Sequence, residues 1–238
     1  MKFNTYIWMT LVGVITASAV EPASYSVTFS TYALRVLDTA NLYYADAPQS
    51  LTKLEFRKKS RSDHYQATIQ SEDGALRIYR KDTASTKEMP PTLVGRIRIE
   101  PTNVPLLLLL TSDSDRTKDM INAYAIDDSQ HNFPQGSLRL VNIAGINLFG
   151  KVGTAQIALA HGGISQAYNQ ESPAPLDISI AAKDHHRYYL LYKNNIRITS
   201  GSRSLLILTP PARKGSIRIG GHLLLESANQ INESTHQL

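Results

Sequence analysis

Apolar and polar residues alternate with a period of two along most of the chain. Residues 95–100 are Gly-Arg-Ile-Arg-Ile-Glu, and residues 136–142, 195–200 and 215–220 also place Arg on one face and Ile or Leu on the other. Such alternation is typical of β-strands with one buried and one solvated face. Turn-forming clusters of Pro, Gly, Asp and Ser separate these segments, and no segment has a helical period beyond about two turns. The sequence therefore predicts an all-β protein.

Residues 106–110 are five consecutive leucines. This run is too short to cross a bilayer, which takes about 20 apolar residues. The related stretch 204–211 ends in two prolines, which disfavours a helix. We therefore predict a strand that is apolar on both faces, so that its outer face needs a cover: a loop, the other half of the chain, a second subunit or a ligand. The candidate interface residues are Leu106, Leu108 and Leu110.

An internal repeat is visible in the order of several short matches. Residues 34–40 (LRVLDTA) resemble residues 138–144 (LRLVNIA), and residues 107–111 match residues 205–209. Further matches join residues 97–99 to 196–198, and Ile121, Asp128 and Ser129 to Ile219, Glu226 and Ser227. The shift between matched residues drifts from 104 to 98, as a few loop deletions would cause. The pattern favours a duplication of one unit.

The N-terminus has the form of a secretory signal peptide. Lys2 precedes an apolar segment over residues 5–16, and Ala17-Ser18-Ala19 has the small-x-small form of a cleavage site. An uncleaved N-terminal anchor is the alternative. No cysteine follows the apolar segment, which excludes a lipoprotein signal. We therefore predict export to a bacterial periplasm or to the cell exterior.

The spacing of strands and turns favours β-sandwiches or barrels. We predict a signal peptide over residues 1–19 and two tandem immunoglobulin-like antiparallel β-sandwich domains over residues 24–129 and 132–228. The second domain is the predicted duplicate of the first. A polar tail over residues 229–238 completes the layout.

The amino-acid composition limits the kinds of chemistry and the kinds of partner that the sequence allows. The chain has no cysteine, which excludes disulfides, thiolate catalysis and cysteine-bound zinc, so stability must come from packed cores. The formal charge is +5, and removal of Lys2 with the signal peptide lowers it to +4. This mild basic bias favours docking on anionic polymers or acidic partners.

Few residues offer catalytic or metal-binding chemistry. Asp184, His185 and His186 are consecutive and could bind a metal or transfer protons. Adjacent strand residues point to opposite faces, however, so a solvated turn is the simpler interpretation. His161 in a His-Gly-Gly sequence lacks the nucleophile motif of a hydrolase, and residues 113–120 lack the Gly of a calcium loop. No catalytic residue, cofactor or metal is predicted, and a hydrolase with a loop-borne site is the third functional hypothesis.

Exposed cations and tyrosines form the remaining surface feature. The candidate binding residues are Arg57, Lys58, Arg77, Tyr79, Lys81, Arg96 and Arg98. Arg and Lys on exposed strands also protect sheets from aggregation, which is the structural alternative. The leading hypothesis is an exported non-catalytic protein that binds an envelope component or a partner protein, and the second is an accessory module for acidic carbohydrate. The expected partners are an unidentified protein or an anionic envelope polymer, with self-association as a further option. No nucleic acid and no span of the processed protein across a membrane are expected.

Overall fold

Most of the alternating segments become β-strands in the computed structural model, whereas residues 197–199 and 215–219 lie outside the strands. The structure describes residues 24–34, 41–47, 50–57, 60–70, 72–81, 90–112, 120–169 and 175–227. These residues form sixteen strands and no helix, so the prediction of an all-β protein is confirmed. The predicted signal peptide and the polar tail lie outside the described residues.

The strands divide the described chain into two halves. In the N-terminal half they are β1 Ser24–Ala33, β2 Leu42–Ala47, β3 Ser50–Lys53, β4 Tyr65–Gln70, β5 Ala75–Arg80, β6 Thr92–Arg98, β7 Leu106–Ser112 and β8 Ile121–Asp127. In the C-terminal half they are β9 Ser137–Asn142, β10 Leu148–Val152, β11 Ala155–Leu159, β12 Tyr168–Asn169, β13 Leu176–Asp184, β14 Arg187–Ile196, β15 Ser202–Thr209 and β16 Gly220–Ser227.

Each half contains two four-stranded sheets. The N-outer sheet has the order β3-β2-β5-β6, and the N-inner sheet has the order β4-β1-β7-β8. The C-inner sheet follows the order β12-β9-β15-β16, and the C-outer sheet the order β11-β10-β13-β14. Every strand of the second half therefore occupies the place of the strand eight positions earlier. In both halves the first strand pairs in parallel with the seventh, which departs from the purely antiparallel sandwich that the sequence predicts.

Matching hydrogen bonds show which residues of the two halves correspond. The amide of Thr31 donates to Ser62 Oγ at 2.8 Å, and the amide of Leu140 donates to Ser165 Oγ at 2.9 Å. Each serine amide donates back to the carbonyl of the same strand residue at 2.9 Å. This register equates Leu34 with Ile143, whereas the sequence match equates it with Leu138. Residues 35–40 of that match lie outside the described residues.

Three apolar clusters hold the sheets together. The N core fills the space between the two N-terminal sheets, and the C core fills the space between the two C-terminal sheets. A third cluster joins the N-inner sheet to the C-inner sheet, and we call it the central cluster. It contains Leu107 and Leu109 of β7 and Leu205 and Ile207 of β15. The layers therefore follow the order N-outer, N-inner, C-inner, C-outer.

The five leucines of β7 are all buried, and the two faces of the strand meet different partners. Leu106, Leu108 and Leu110 lie in the N core, opposite the N-outer sheet. Leu107 and Leu109 lie in the central cluster and contact the other half of the chain. The cover that the apolar run requires is thus the C-terminal half. The residues at this interface are one position away from the predicted set Leu106, Leu108 and Leu110.

Removal of one leucine from the central cluster should destabilise the protein. Leu109 is 0% exposed, so Leu109→Ala should lower the free energy of unfolding by about 2–5 kcal/mol. Urea unfolding followed by fluorescence measures this change. Leu225 on β16 is 55% exposed, and Leu225→Ala is the matched control with an expected change below about 0.5 kcal/mol. Equal effects of the two substitutions would contradict the packing of the inner sheets.

Candidate functional site

The outer surface of the N-outer sheet collects most of the predicted binding residues. Leu42 and Tyr44 of β2 and Ile78 of β5 are buried in the N core, so Tyr43 and Tyr79 point outward. Tyr43 is the cross-strand partner of both Lys53 and Tyr79, and Arg77 is the partner of Arg96. We call this surface the basic face and define it as Tyr43, Lys53, Arg77, Tyr79, Lys81, Arg96 and Arg98.

Two carboxylates organise the arginines of the basic face. Asp73 accepts hydrogen bonds from Arg77 and, at 3.0 Å, from Arg96. Glu100 lies 3.2 Å from Arg98. With Lys53 and Lys81 included, the five cations of the basic face outnumber these two carboxylates.

A lysine and a tyrosine complete the chemistry of the basic face. Lys81 Nζ lies 4.4 Å from the ring centroid of Tyr43, which is within cation–π distance. Tyr43 and Tyr79 stand side by side on neighbouring strands. The face therefore combines flat rings with cations, the groups that stack on sugar rings and pair with acidic substituents.

The other predicted cations lie beyond this sheet. Arg57 forms an exposed ion pair with Asp63 at 2.6 Å, and Lys58 lies outside the described residues. Arg57 and Lys53 line a cleft of about 310 Å³ that also includes Tyr65. Lys53 is common to the cleft and the basic face. The structure thus brings five of the seven predicted binding residues together on one sheet and places Arg57 at a cleft beside it.

Sequence reasoning missed a second surface on the C-outer sheet. Phe149 of β10 and Tyr188 of β14 contact edge to face with ring centroids 6.0 Å apart, and Lys183 Nζ lies 5.9 Å from the Tyr188 centroid. Tyr188 is 61% exposed and Leu190 is 56% exposed. Phe149, Lys151, Gln156 and Tyr188 line a groove of about 510 Å³. We define the aromatic face as Phe149, Lys151, Gln156, Lys183, Tyr188, Leu190 and Lys193.

A glycine fixes the local geometry of the aromatic face. A Cβ atom on Gly150 would lie 2.1 Å from the carbonyl oxygen of Ser179, so β10 can approach β13 this closely only with glycine there. The close approach positions Phe149 and Lys151 on either side of the glycine. The register shift next to Ile180, where β13 pairs with β14, and the burial of Leu191 set the outward direction of Leu190. Neither feature is a pattern that alternation reveals, which explains why the sequence did not predict this surface.

Four charged residues, three buried and one partly buried, join the two halves at the edge of the central cluster. Arg61 pairs with Asp128 of its own half and with Glu226 of the other half. Arg203 Nη2 lies 3.1 Å from Asp128 Oδ1 and 3.1 Å from Glu226 Oε2. Each arginine therefore binds one acid from each half. We call these four residues the ion cluster.

A backbone carbonyl and an aromatic ring near the ion cluster also contact Arg203, whose buried Nε has no hydrogen-bond partner among the described residues. Arg203 Nη1 donates to the carbonyl of Asp128 at 3.0 Å, and its guanidinium lies 4.9 Å from the ring centroid of Phe133. Arg203 is only 2% exposed. Burial alone would lower the pKa of Arg61, but the attraction of Glu226 and Asp128 outweighs burial and raises it. The cluster therefore connects the halves through two arginines and two carboxylates, whose formal charges cancel.

Loss of an arginine from the ion cluster should destabilise the fold strongly. Arg203→Met leaves Asp128 and Glu226 buried with one cation for two anions, which should cost about 3–5 kcal/mol in the free energy of unfolding. The exposed pair of Arg57 and Asp63 supplies the matched control, because Arg57→Met should cost less than about 1 kcal/mol. Urea unfolding at neutral pH measures both changes. Similar costs for the two variants would refute a structural role of the cluster.

His64 lies next to the ion cluster and should give stability a pH dependence. Burial lowers the pKa of His64 below 6.5, and the cation of Arg61 lowers it further. The unfolded chain then binds more protons than the folded chain at pH values just below 6.5, so stability should fall as the pH falls through this window. His64→Gln should flatten the fall in urea unfolding curves, whereas His131→Gln in an exposed turn should leave it unchanged. An equal slope in wild type and His64→Gln would contradict the prediction.

The histidines considered for catalysis lie in an exposed hairpin turn and in a contact between the two halves. Asp184 Oδ1 and His185 Nδ1 are 2.7 Å apart at the exposed tip of the β13–β14 hairpin, where His185 adopts a positive φ of 51°. His161 Nδ1 accepts from the amide of Gly145 at 3.2 Å, and its Nε2 lies 3.3 Å from the hydroxyl of Tyr124. His161 thus connects the two halves. Within the described residues, no group of three or more His, Asp or Glu is arranged to hold a metal ion.

No protein-family model matches the chain, and no curated protein matches it. Across the residues that the structure describes, no helix has the length and apolar character needed to span a membrane.

Proposed function

We propose that this protein is a non-catalytic binding protein whose basic face holds an anionic carbohydrate polymer. The observation that carries the proposal is the arrangement of five cations around Tyr43 and Tyr79 on one open sheet surface. A polymer of acidic sugars offers carboxylate or sulfate groups at regular intervals and apolar ring faces between them. Both features match the alternation of cations and rings on this face.

Preorganisation of the arginines supports the proposal. Asp73 has a side chain only 17% exposed and holds the Arg77 and Arg96 guanidinium groups in place before any ligand arrives. Ordered side chains lose less conformational entropy on binding than free ones. Arg96 and Arg98 remain 56% and 81% exposed, so their free N–H groups can still donate to a ligand oxygen.

The remaining expectations are part of the same proposal. We propose that the two halves are tandem immunoglobulin-like domains, supported by the identical strand order of the two halves. We propose export to the periplasm or cell exterior, supported by the small-x-small motif after the apolar N-terminal segment. Envelope polymers with acidic groups are the ligands that an exported protein of this charge would meet. A partner protein in place of a glycan is the competing hypothesis.

Binding should follow charge on the basic face. The purified protein is titrated with polygalacturonate and with dextran sulfate, and neutral dextran serves as the ligand control. Lys53→Glu/Lys81→Glu should weaken binding on the basic face by roughly tenfold or more, since rim charges steer and hold anionic partners. Isothermal titration calorimetry at two salt concentrations measures this, because binding should weaken as the Debye length falls from about 8 Å at 0.15 M to about 3 Å at 1 M.

A charge change elsewhere controls for net charge. Lys214 lies in an exposed loop between β15 and β16, so Lys214→Glu should leave the affinity within about twofold of wild type. The proposal fails if neither anionic polymer binds, or if Lys214→Glu weakens binding as much as Lys53→Glu/Lys81→Glu. An affinity that does not change with salt would likewise overturn it and leave a partner protein as the remaining hypothesis.

A further inference from the structure

The aromatic face occupies the position in the C-terminal half that the basic face occupies in the N-terminal half. Leu42 and Leu148 are both fully buried, and the next residues, Tyr43 and Phe149, both carry outward rings. Tyr43 pairs across the sheet with Tyr79, and Phe149 pairs with Ala181.

The lysines correspond in the same way. Two residues beyond Tyr79 stands Lys81, and two residues beyond Ala181 stands Lys183. Lys81 lies over the ring of Tyr43, and Lys183 lies over the ring of Tyr188, which contacts Phe149. Each face therefore presents an aromatic ring with a lysine above it on equivalent sheets, although the ring belongs to β2 in one half and to β14 in the other.

The aromatic face is also positively charged. Lys151, Ser179 and Lys193 are cross-strand partners, so both lysines share the outward side with Lys183. Asp177 lies on the same side at the far end of the hairpin, where it pairs with Asn195. The groove beside Tyr188 is lined by Phe149 and by the polar side chains of Lys151 and Gln156. Three lysines, an amide and two rings suit the same ligand class as the basic face.

The order of the layers directs the two faces away from each other. The two inner sheets lie between the outer sheets, so the basic face and the aromatic face lie at opposite ends of the stack. Four sheets stacked about 10 Å apart put the two outer sheets roughly 30 Å apart, and their outward faces lie farther apart still. One oligosaccharide on one face cannot contact the other face in this arrangement.

We propose that the aromatic face is a second site for anionic carbohydrate and that one protein molecule joins two polymer chains. The inference rests on the proposed function of the basic face. The central cluster and the ion cluster connect the two halves through packed side chains and four paired charges, so the two sites keep a fixed distance and direction. A protein of this kind cross-links its polymer.

Stoichiometry tests the second site. The purified protein is titrated with a galacturonate oligomer of about ten units by calorimetry, and two oligomers per protein are expected. Lys151→Glu/Lys183→Glu on the aromatic face should leave one site, and Lys53→Glu/Lys81→Glu on the basic face should also leave one. All four substitutions together should remove both. Wild-type protein mixed with long polygalacturonate should increase light scattering, and either double variant should abolish the increase while it still binds.

The outcomes separate this inference from the proposed function. One oligomer per protein, lost only in Lys53→Glu/Lys81→Glu, supports the basic face and overturns the second site. Two sites that both survive Lys151→Glu/Lys183→Glu overturn the assignment of the second site to the aromatic face. Absence of any binding overturns both proposals. Unfolding curves equal to those of the wild type establish that each variant is folded. We expect this result because Lys53, Lys151 and Lys183 are exposed and lie outside the three apolar clusters, and because Lys81 is only half-buried.

Discussion

The contact between the two inner sheets governs the architecture. Leu107 and Leu109 on one side and Leu205 and Ile207 on the other are all at most 1% exposed, although each belongs to a strand whose opposite face already lies in another core. A sheet that is apolar on both faces cannot remain in solution as an outer layer. The inner sheets must therefore meet, and this leaves the two remaining sheets as the outer layers with solvated faces. The position of every proposed binding residue follows from that constraint.

The alternation of polar and apolar residues predicted those features of the fold that depend only on residues close together in the chain. It located most of the strands, although the alternating residues 215–219 form a loop, and it gave the outward direction of Arg77, Tyr79, Arg96 and Arg98. The leucine run also implied a cover on its second face. Alternation could not decide which leucines face that cover, because Leu106 to Leu110 are chemically identical. The pairing of Phe29 with Leu106 decides it, and such a long-range register has no local signature.

The features that the sequence did not predict also depend on contacts between residues far apart in the chain. Arg61, Asp128, Arg203 and Glu226 are separated by as many as 165 residues, so no spacing rule connects them. The repeat nevertheless matched Asp128 to Glu226, and the structure brings these two acids to one place. The aromatic face was missed because its exposed Tyr188 and Leu190 have the residue types of a core strand. A register shift between β13 and β14 sets the outward direction of Leu190, and a glycine in β10 lets that strand approach β13 closely.

Apolar packing and paired charges have different roles where the two inner sheets meet. The central cluster is non-directional, so leucine and isoleucine alone would tolerate a slip of one inner sheet over the other. The ion cluster does not tolerate it, because a slip would separate Arg203 from Asp128 and Arg61 from Glu226 and leave unpaired charges in a largely buried site. Packing therefore holds the halves together, whereas the four charges select one alignment. Since the outer faces are fixed to the inner sheets, the same alignment sets the distance and direction between the basic face and the aromatic face.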